Sequence, residues 1–320
     1  MDAKRQGWGL IGPGRFAREF AAELRTVSGA YPAAVGSRSR DRAQCFADEF
    51  GFERVHDSYE ALIDDPEVDI VYIVVPHVFH AEIARMAIAC GKPVVCEKPL
   101  TASVADTEAL LRYARDKGVF LMEAMKTAFL PAVGEAVRWI AEGRIGEPRL
   151  LRADFCFPGP DDPGDRLMNP DLGGGAILDV GIYPLHLAQF LFGELRNIEA
   201  VGTLSETGVE DTVSVSALAG DDIVCSLACS FRTQESMSAE ILGTEGRIVI
   251  PVFHAATRAV LYRDGELRDF FTDDSGSMVG FEIAAAMKAV VEGRTECPGH
   301  DHAASLRLAR AMDAVIARMR

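Results

Sequence analysis

The run Gly12-Pro13-Gly14-Arg15-Phe16-Ala17 constrains the fold of this chain more than any other stretch. It follows a short apolar strand candidate, 8–11, and opens an amphipathic segment, 15–27. In that strand–turn–helix setting a G-x-G-x-x-A run reads as a dinucleotide cradle. Gly12 permits the tight turn, Gly14 lets backbone approach a pyrophosphate, and small Ala17 lets the helix lie close to the strand. The helix start adds N–H groups and the positive end of a dipole. Arg15 and Phe16, inside the run, complete the first set of candidate cofactor contacts. Without its flanks the same run is an ordinary strand–helix turn, so the setting carries the reading.

The residues that follow extend the pattern. Strand candidates at 33–37, 70–75, 93–96 and 119–122 are apolar runs without alternation, as in a parallel sheet covered on both faces. Helix patterns lie between them at 41–50, 80–90 and 104–117, with Gly91 and Gly118 where helix ends belong. This alternation predicts an α/β, doubly wound parallel sheet, a Rossmann domain over 1–124. Right-handed crossovers then bring the strand C-terminal ends to one ligand-binding edge.

Beyond about Ala124 the pattern changes. A helix at 133–142, a strand at 149–157 and a Pro/Gly/Asp loop at 158–175 precede a second helix, 176–192. Consecutive strand patterns follow, including 212–218, 223–230 and 238–242, and helices at 281–292 and 303–319 close the chain. Such a succession predicts an α+β domain with a mostly antiparallel open sheet over 125–320, with the terminal helices free to return to the first domain.

The formal net charge of -15 argues against nucleic acid and anionic membrane surfaces as partners. No apolar run reads as long enough to span a membrane, and the first residues lack the apolar core of a signal peptide. The seven cysteines are scattered and read as reduced thiols, which places the chain in the cytoplasm. Cys225 and Cys229 lie in a strand pattern without a matching His or Cys pair. His77 and His80 lack a Glu or Cys ligand set, so no metal site is expected.

Four strand ends or helix starts carry candidate chemistry. Glu97-Lys98-Pro99 follows the 93–96 strand at the ligand edge, where a lysine can hold a substrate hydroxyl. Pro76, His77 and His80 follow the 70–75 strand at the same edge. Ser37 and Arg38 follow the 33–37 strand, where an Asp or Glu would favour NAD. The arginine instead suits a 2′-phosphate, so NADP is preferred and NAD remains possible. Asp179 and Tyr183, four residues apart, share one face of the 176–192 helix with His186, after Gly173-Gly174-Gly175. Asp, Tyr and His on one stripe form a proton-transfer and orienting set, and Arg166 and His186 are the candidate substrate contacts.

Taken together, these runs resemble the glucose–fructose oxidoreductase / inositol dehydrogenase / rhizopine-catabolism (Gfo/Idh/MocA) family. Its marks are Gly12 to Ala17, Pro76-His77-Val78-Phe79-His80, the run from Gly91 to Pro99, and the run from Gly173 to Tyr183. Leu172-Gly173-Gly174-Gly175-Ala176 and Gly243-Thr244-Glu245-Gly246-Arg247-Ile248 resemble the branch with dimeric dihydrodiol dehydrogenase and NADP-dependent D-xylose dehydrogenase. The resemblance implies hydride transfer between NAD(P) and a hydroxyl carbon of a sugar, polyol or diol. It implies Lys98 as the catalytic lysine, Tyr183 as acid/base and Asp179 as a substrate-orienting group. It also implies a homodimer or homotetramer built on the second domain's sheet. Two other readings remain: NAD-dependent glycoside hydrolysis on the same fold, and nucleotide sensing without turnover.

Overall fold

A six-residue strand, β1 (Gln6–Ile11), is buried along its whole length and seeds the first of two sheets. The computed structural model describes residues 5–319. By their contacts these fall into two compact units, one running to Met125 and taking in Val279–Ser305, the other made of Lys126–Met278 and the residues from Leu306 onward.

In the first unit β1 is followed by α1 (Arg15–Leu24), β2 (Ala30–Gly36), α2 (Arg40–Phe50), β3 (Arg54–His56), α3 (Tyr59–Ile63), β4 (Ile70–Ile73), α4 (His80–Ala89), β5 (Val94–Glu97), α5 (Val104–Lys117) and β6 (Leu121–Ala124). Neighbouring strands are parallel, in the order β3-β2-β1-β4-β5-β6. The helices start and stop on local chemistry. Ser39, Ser58 and Ser103 accept N–H bonds at the starts of α2, α3 and α5. Gly51 and Gly118 end α2 and α5 in the left-handed conformation. The strand β3 and helix α3, absent from the sequence reading, are too short to show a period. The Glu23 carboxylate of α1 accepts the Val279 and Gly280 N–H groups at 2.9 and 2.7 Å, capping α8 (Gly280–Val291).

In the second unit α6 (Pro131–Ala141) and β7 (Pro148–Cys156) precede α7 (Ile182–Phe192). The strands β8 (Leu195–Leu204), β9 (Glu210–Ala219), β10 (Ile223–Ser230), β11 (Ala239–Gly243), β12 (Gly246–Ile250), β13 (Arg258–Arg263) and β14 (Glu266–Thr272) follow. The last helix, α9 (His302–Met319), is divided between the units. The sheet runs β14-β13-β12-β11-β7-β10-β9-β8, antiparallel except for the parallel pair β7–β10. On one face Leu151, Ala153, Cys225 and Leu227 are buried, and α7 packs against β7 and β10.

Two sequence expectations change here. The helix expected over 176–192 is not α-helical throughout: Ile177–Gly181 forms a wider π-turn before α7 begins. Pro184, in the first turn of α7, has no N–H to offer the Val180 carbonyl, so a regular helix cannot run unbroken through this point. Moreover, the helical stretch Pro170–Phe192 is long and apolar enough to span a membrane, contrary to the reading that no run is. It is mostly buried inside the structure, as a core helix is.

Candidate active site

The sheet order of the first unit places a topological switch point between β1 and β4, and ligands of such sheets bind at the strand C-terminal ends there. Gly12 follows β1 and turns with φ +97°. An added Cβ would lie 2.7 Å from the Val74 carbonyl oxygen, so this position excludes a side chain both sterically and conformationally. The turn is pinned by Gly12 N–H to Gly36 O at 3.1 Å and Gly14 N–H to Gly12 O at 2.8 Å. Gly14 is the N-cap of α1 and provides no side-chain cap. Beside it a Cβ would meet only the Gly12 oxygen, at 3.9 Å. The first turn of α1 therefore presents backbone donors beside open space, which fits a dinucleotide pyrophosphate. Ala17 is fully buried, Phe16 is half-buried and Arg15 is exposed.

At the end of β2, Ser37 is buried and its Oγ accepts the Ser39 N–H at 3.2 Å. Arg38 is exposed at the tip. The neighbouring Arg40 reaches Asp57 at 3.9 Å. At the end of β4, Pro76 leads into a short 3-10 turn in which His77 is 4% exposed. His80, at the start of α4, is turned inward. Its Nδ1 lies 3.0 Å from Pro99 O and its Nε2 2.8 Å from Val75 O. Burial pulls its pKa down, against these two carbonyl bonds.

The β5 end carries the lysine. Glu97 is buried and accepts the Tyr72 hydroxyl and, at 3.2 Å, the Lys98 N–H. Burial and the Glu97 charge push the Tyr72 pKa well up, so Tyr72 is a fixed donor. Lys98 is half-buried and precedes a cis Pro99. Leu100 N–H donates to Glu123 Oε1 at 2.8 Å.

In the second unit Gly175, at φ +122°, leaves room for the Glu210 carboxylate, which a Cβ there would meet at 2.1 Å. The π-turn that follows holds Asp179, whose Oδ1 accepts from Arg166 at 3.0 Å. Arg166 is 43% exposed and Asp179 16% exposed at their side chains. This pair is thus partly desolvated. Tyr183 is 6% exposed, and its ring packs 5.4 Å from Phe155 and 5.7 Å from His254. His186 is buried and stacks on Phe190 at 5.6 Å. Because Asp179 sits in the wider turn, its spacing from Tyr183 and His186 is not that of one straight α-helical face. The sequence reading passed over three residues here: Tyr72, which fixes Glu97; Glu123, on Leu100; and His254, beside Tyr183. Each partner is distant along the chain, and no local pattern marks it.

A glycine turn at the switch point of a parallel sheet, opening a helix whose first turn presents backbone donors, is the architecture of a dinucleotide-binding domain. Comparison with known proteins agrees. The model of the oxidoreductase family's NAD-binding Rossmann fold matches residues 7–125, and that of the GFO/IDH/MocA C-terminal domain matches residues 133–249. The trans-1,2-dihydrobenzene-1,2-diol dehydrogenases of Mus musculus and Homo sapiens are each 32% identical, over 91% of this chain and 90% of theirs. A solved structure of KijD10, a 3-ketoreductase from Actinomadura kijaniata, in complex with NADP and TDP-benzene, superposes with a TM-score of 0.88. It is 30% identical over 99% of this chain and 98% of that one. Levoglucosan dehydrogenase, solved with NADH and levoglucosan, shares the fold, with a TM-score of 0.88 at 24% identity over 98% and 97%. The chain belongs to the Gfo/Idh/MocA family.

Proposed function

We propose that this enzyme interconverts a secondary hydroxyl and a carbonyl on a sugar, polyol or diol, with NADP as the preferred cofactor. The observation that carries the reading is Lys98 at the C-terminal end of β5, beside the β1/β4 switch point. The related diol dehydrogenases and the 3-ketoreductase support the substrate class. Variants of that ketoreductase with a lysine or a tyrosine replaced have also been solved with NADP.

When bound, the nicotinamide supplies the redox chemistry, as the acceptor or donor of hydride. The protein contributes positions and charges. The Gly12–Ala17 turn holds the pyrophosphate, and Pro76 and His77 line the edge toward Lys98. The Lys98 ammonium stabilises negative charge developing on the substrate oxygen. Tyr183 takes the hydroxyl proton in oxidation and returns it in reduction. Asp179 and Arg166 orient the remaining substrate oxygens.

Arg38 supports the cofactor preference, because an exposed guanidinium at the tip of β2 can pair with a 2′-phosphate. The first experiment is a fluorescence titration with NADPH and NADH. NADPH binds more tightly to the native chain. Arg38→Ala weakens NADPH about tenfold or more and NADH by no more than about twofold, the scale of one lost charge-assisted bond. Equal losses would remove Arg38 from phosphate recognition, and binding of neither nucleotide would remove the proposal. Oxidation of trans-1,2-dihydrobenzene-1,2-diol and of a set of aldoses with NADP then separates diol from sugar specificity.

We also place the enzyme as a homodimer in a reducing cytoplasm, a setting that suits its seven free cysteines. The second unit's sheet supports the dimer. On the face away from α7, Leu218, Val224, Leu150 and Leu242 form an apolar row across four strands, with Val224 46% exposed. Light scattering on Val224→Asp is expected to give a monomer with its fold retained. A native chain that is monomeric at micromolar concentration would overturn this assignment.

A further inference from the structure

We infer that Glu123, braced by His300, is the positioning residue that holds the Lys98 loop in place. The inference rests on the catalytic reading of Lys98 given above.

The Lys98-Pro99-Leu100 backbone is held on three sides by buried side chains of the first unit. Glu97 Oε2 accepts the Lys98 N–H at 3.2 Å. The His80 ring meets the Pro99 carbonyl at 3.0 Å. Glu123 Oε1 accepts the Leu100 N–H at 2.8 Å. Glu97 is adjacent to the lysine, and His80 belongs to a motif already visible in the sequence. Glu123 is different: it reaches the loop from β6, and its other oxygen leads to the far end of the chain.

That other oxygen, Oε2, accepts from His300 Nε2 at 3.0 Å. The same nitrogen lies 3.1 Å from Ser305 Oγ. Glu123 is 3% exposed, and His300 2%. A carboxylate so far from water persists only with its oxygens bonded, and here one is committed to the loop and the other to the brace. The bracing segment is itself fastened to β6. Leu121 N–H donates to Thr295 O at 3.1 Å, and His302 Nε2 lies 2.9 Å from Leu121 O. Residues 295–305 belong to the first unit although Lys126–Met278 of the second unit lie between them and β6 in the chain, and they lock β6 at two levels. One is the strand backbone, and the other is the side chain that holds the lysine loop. A lysine on a flexible stem gains from this, because fixing its backbone reduces the freedom left to its ammonium group.

The test uses the full chain with no substrate. Hydrogen exchange reports the Leu100 N–H through the peptide covering 98–102. The ¹³C signal of reductively dimethylated Lys98, assigned by its loss in Lys98→Ala, reports the lysine head. Glu123→Leu retains volume and removes both acceptors. It is expected to speed exchange at Leu100 about tenfold, the scale of a lost bond to a charged acceptor, and to move the Lys98 signal. Glu123→Gln retains an acceptor for Leu100 but turns a donor toward His300, so its readouts are expected to move no further than those of His300→Phe and far less than those of Glu123→Leu. His300→Phe leaves the clamp and removes its brace, so both readouts move part of the way.

If Glu123→Leu leaves exchange and signal as in the native chain, the inference is overturned. It is equally overturned if Gln and Leu move them alike, since that marks loss of stability rather than of one acceptor. Should Glu123→Leu not fold, His300→Phe decides the matter by the same two signals. Turnover of Lys98→Ala tests the catalytic reading separately, so the two failures are distinguishable.

Discussion

Lys98→Ala is expected to lower kcat about a thousandfold while NADPH binds within about threefold of native, as measured by steady-state kinetics and fluorescence titration. The two effects part because the two tasks belong to different strand ends. In the proposed reading the pyrophosphate belongs at the β1 end, where Gly12 is pinned to Gly36 and α1 begins without a side-chain cap. The lysine stands at the β5 end, with β4 between them in the sheet. A half-buried ammonium at a water-poor edge stabilises an oxyanion far more than it would in bulk water. An ammonium that acts only on developing charge lowers kcat and kcat/KM together when removed. One that merely holds substrate raises KM and leaves kcat. Lys98→Arg separates charge from shape. It retains the cation but replaces a compact point charge by a planar fork, and only partial recovery is expected. Native kcat in Lys98→Ala would exclude the lysine from the chemical step.

The first sheet was legible because its strands are buried on both faces. A run such as Val94–Glu97 is fully buried and therefore continuously apolar up to the site residue that ends it. The strand Arg54–His56 was not legible, since an edge strand of three partly exposed residues carries no apolar run. The residues around the site divide on the same principle. Lys98 and Tyr183 were singled out as candidates through their neighbours in sequence. The groups around the Lys98 loop were not: Tyr72 meets Glu97, Glu123 meets the Leu100 N–H and His300 meets Glu123, all through contacts between residues far apart in the chain, and nothing local to Glu123 points to residue 300. The Asp179–Tyr183 spacing was read with the periodicity of a regular helix. Pro184 lies beyond both, yet it bears on the turn that holds Asp179, because a proline has no N–H to offer the carbonyl four residues before it. The Arg166–Asp179 pair was legible only as two separate candidates. Their meeting depends on the path of the loop at 158–175, which has turns but no period.

Tyr183→Phe is the substitution that isolates proton transfer, because it removes one oxygen and leaves the packing. The ring contacts with Phe155 and His254, at 5.4 and 5.7 Å, are made by the aromatic body, so the fold and its melting temperature should change little. The expected loss in kcat is about a hundredfold to a thousandfold, the range of a single general acid–base group, with KM near native. The pH profile adds a sign. In the oxidation direction the native enzyme needs its base unprotonated, so kcat should rise with pH to a plateau. The phenylalanine variant should lose that rise and show a flatter profile, because water then takes the proton without a titrating side chain. A structural tyrosine would behave differently: its replacement would lower the melting temperature and leave the shape of the profile intact. The paired outcome of unchanged stability and a flattened profile therefore assigns the proton to Tyr183. A native-like profile with full turnover would move the acid–base role to another group, and His254, packed against the same ring, would be the next residue to replace.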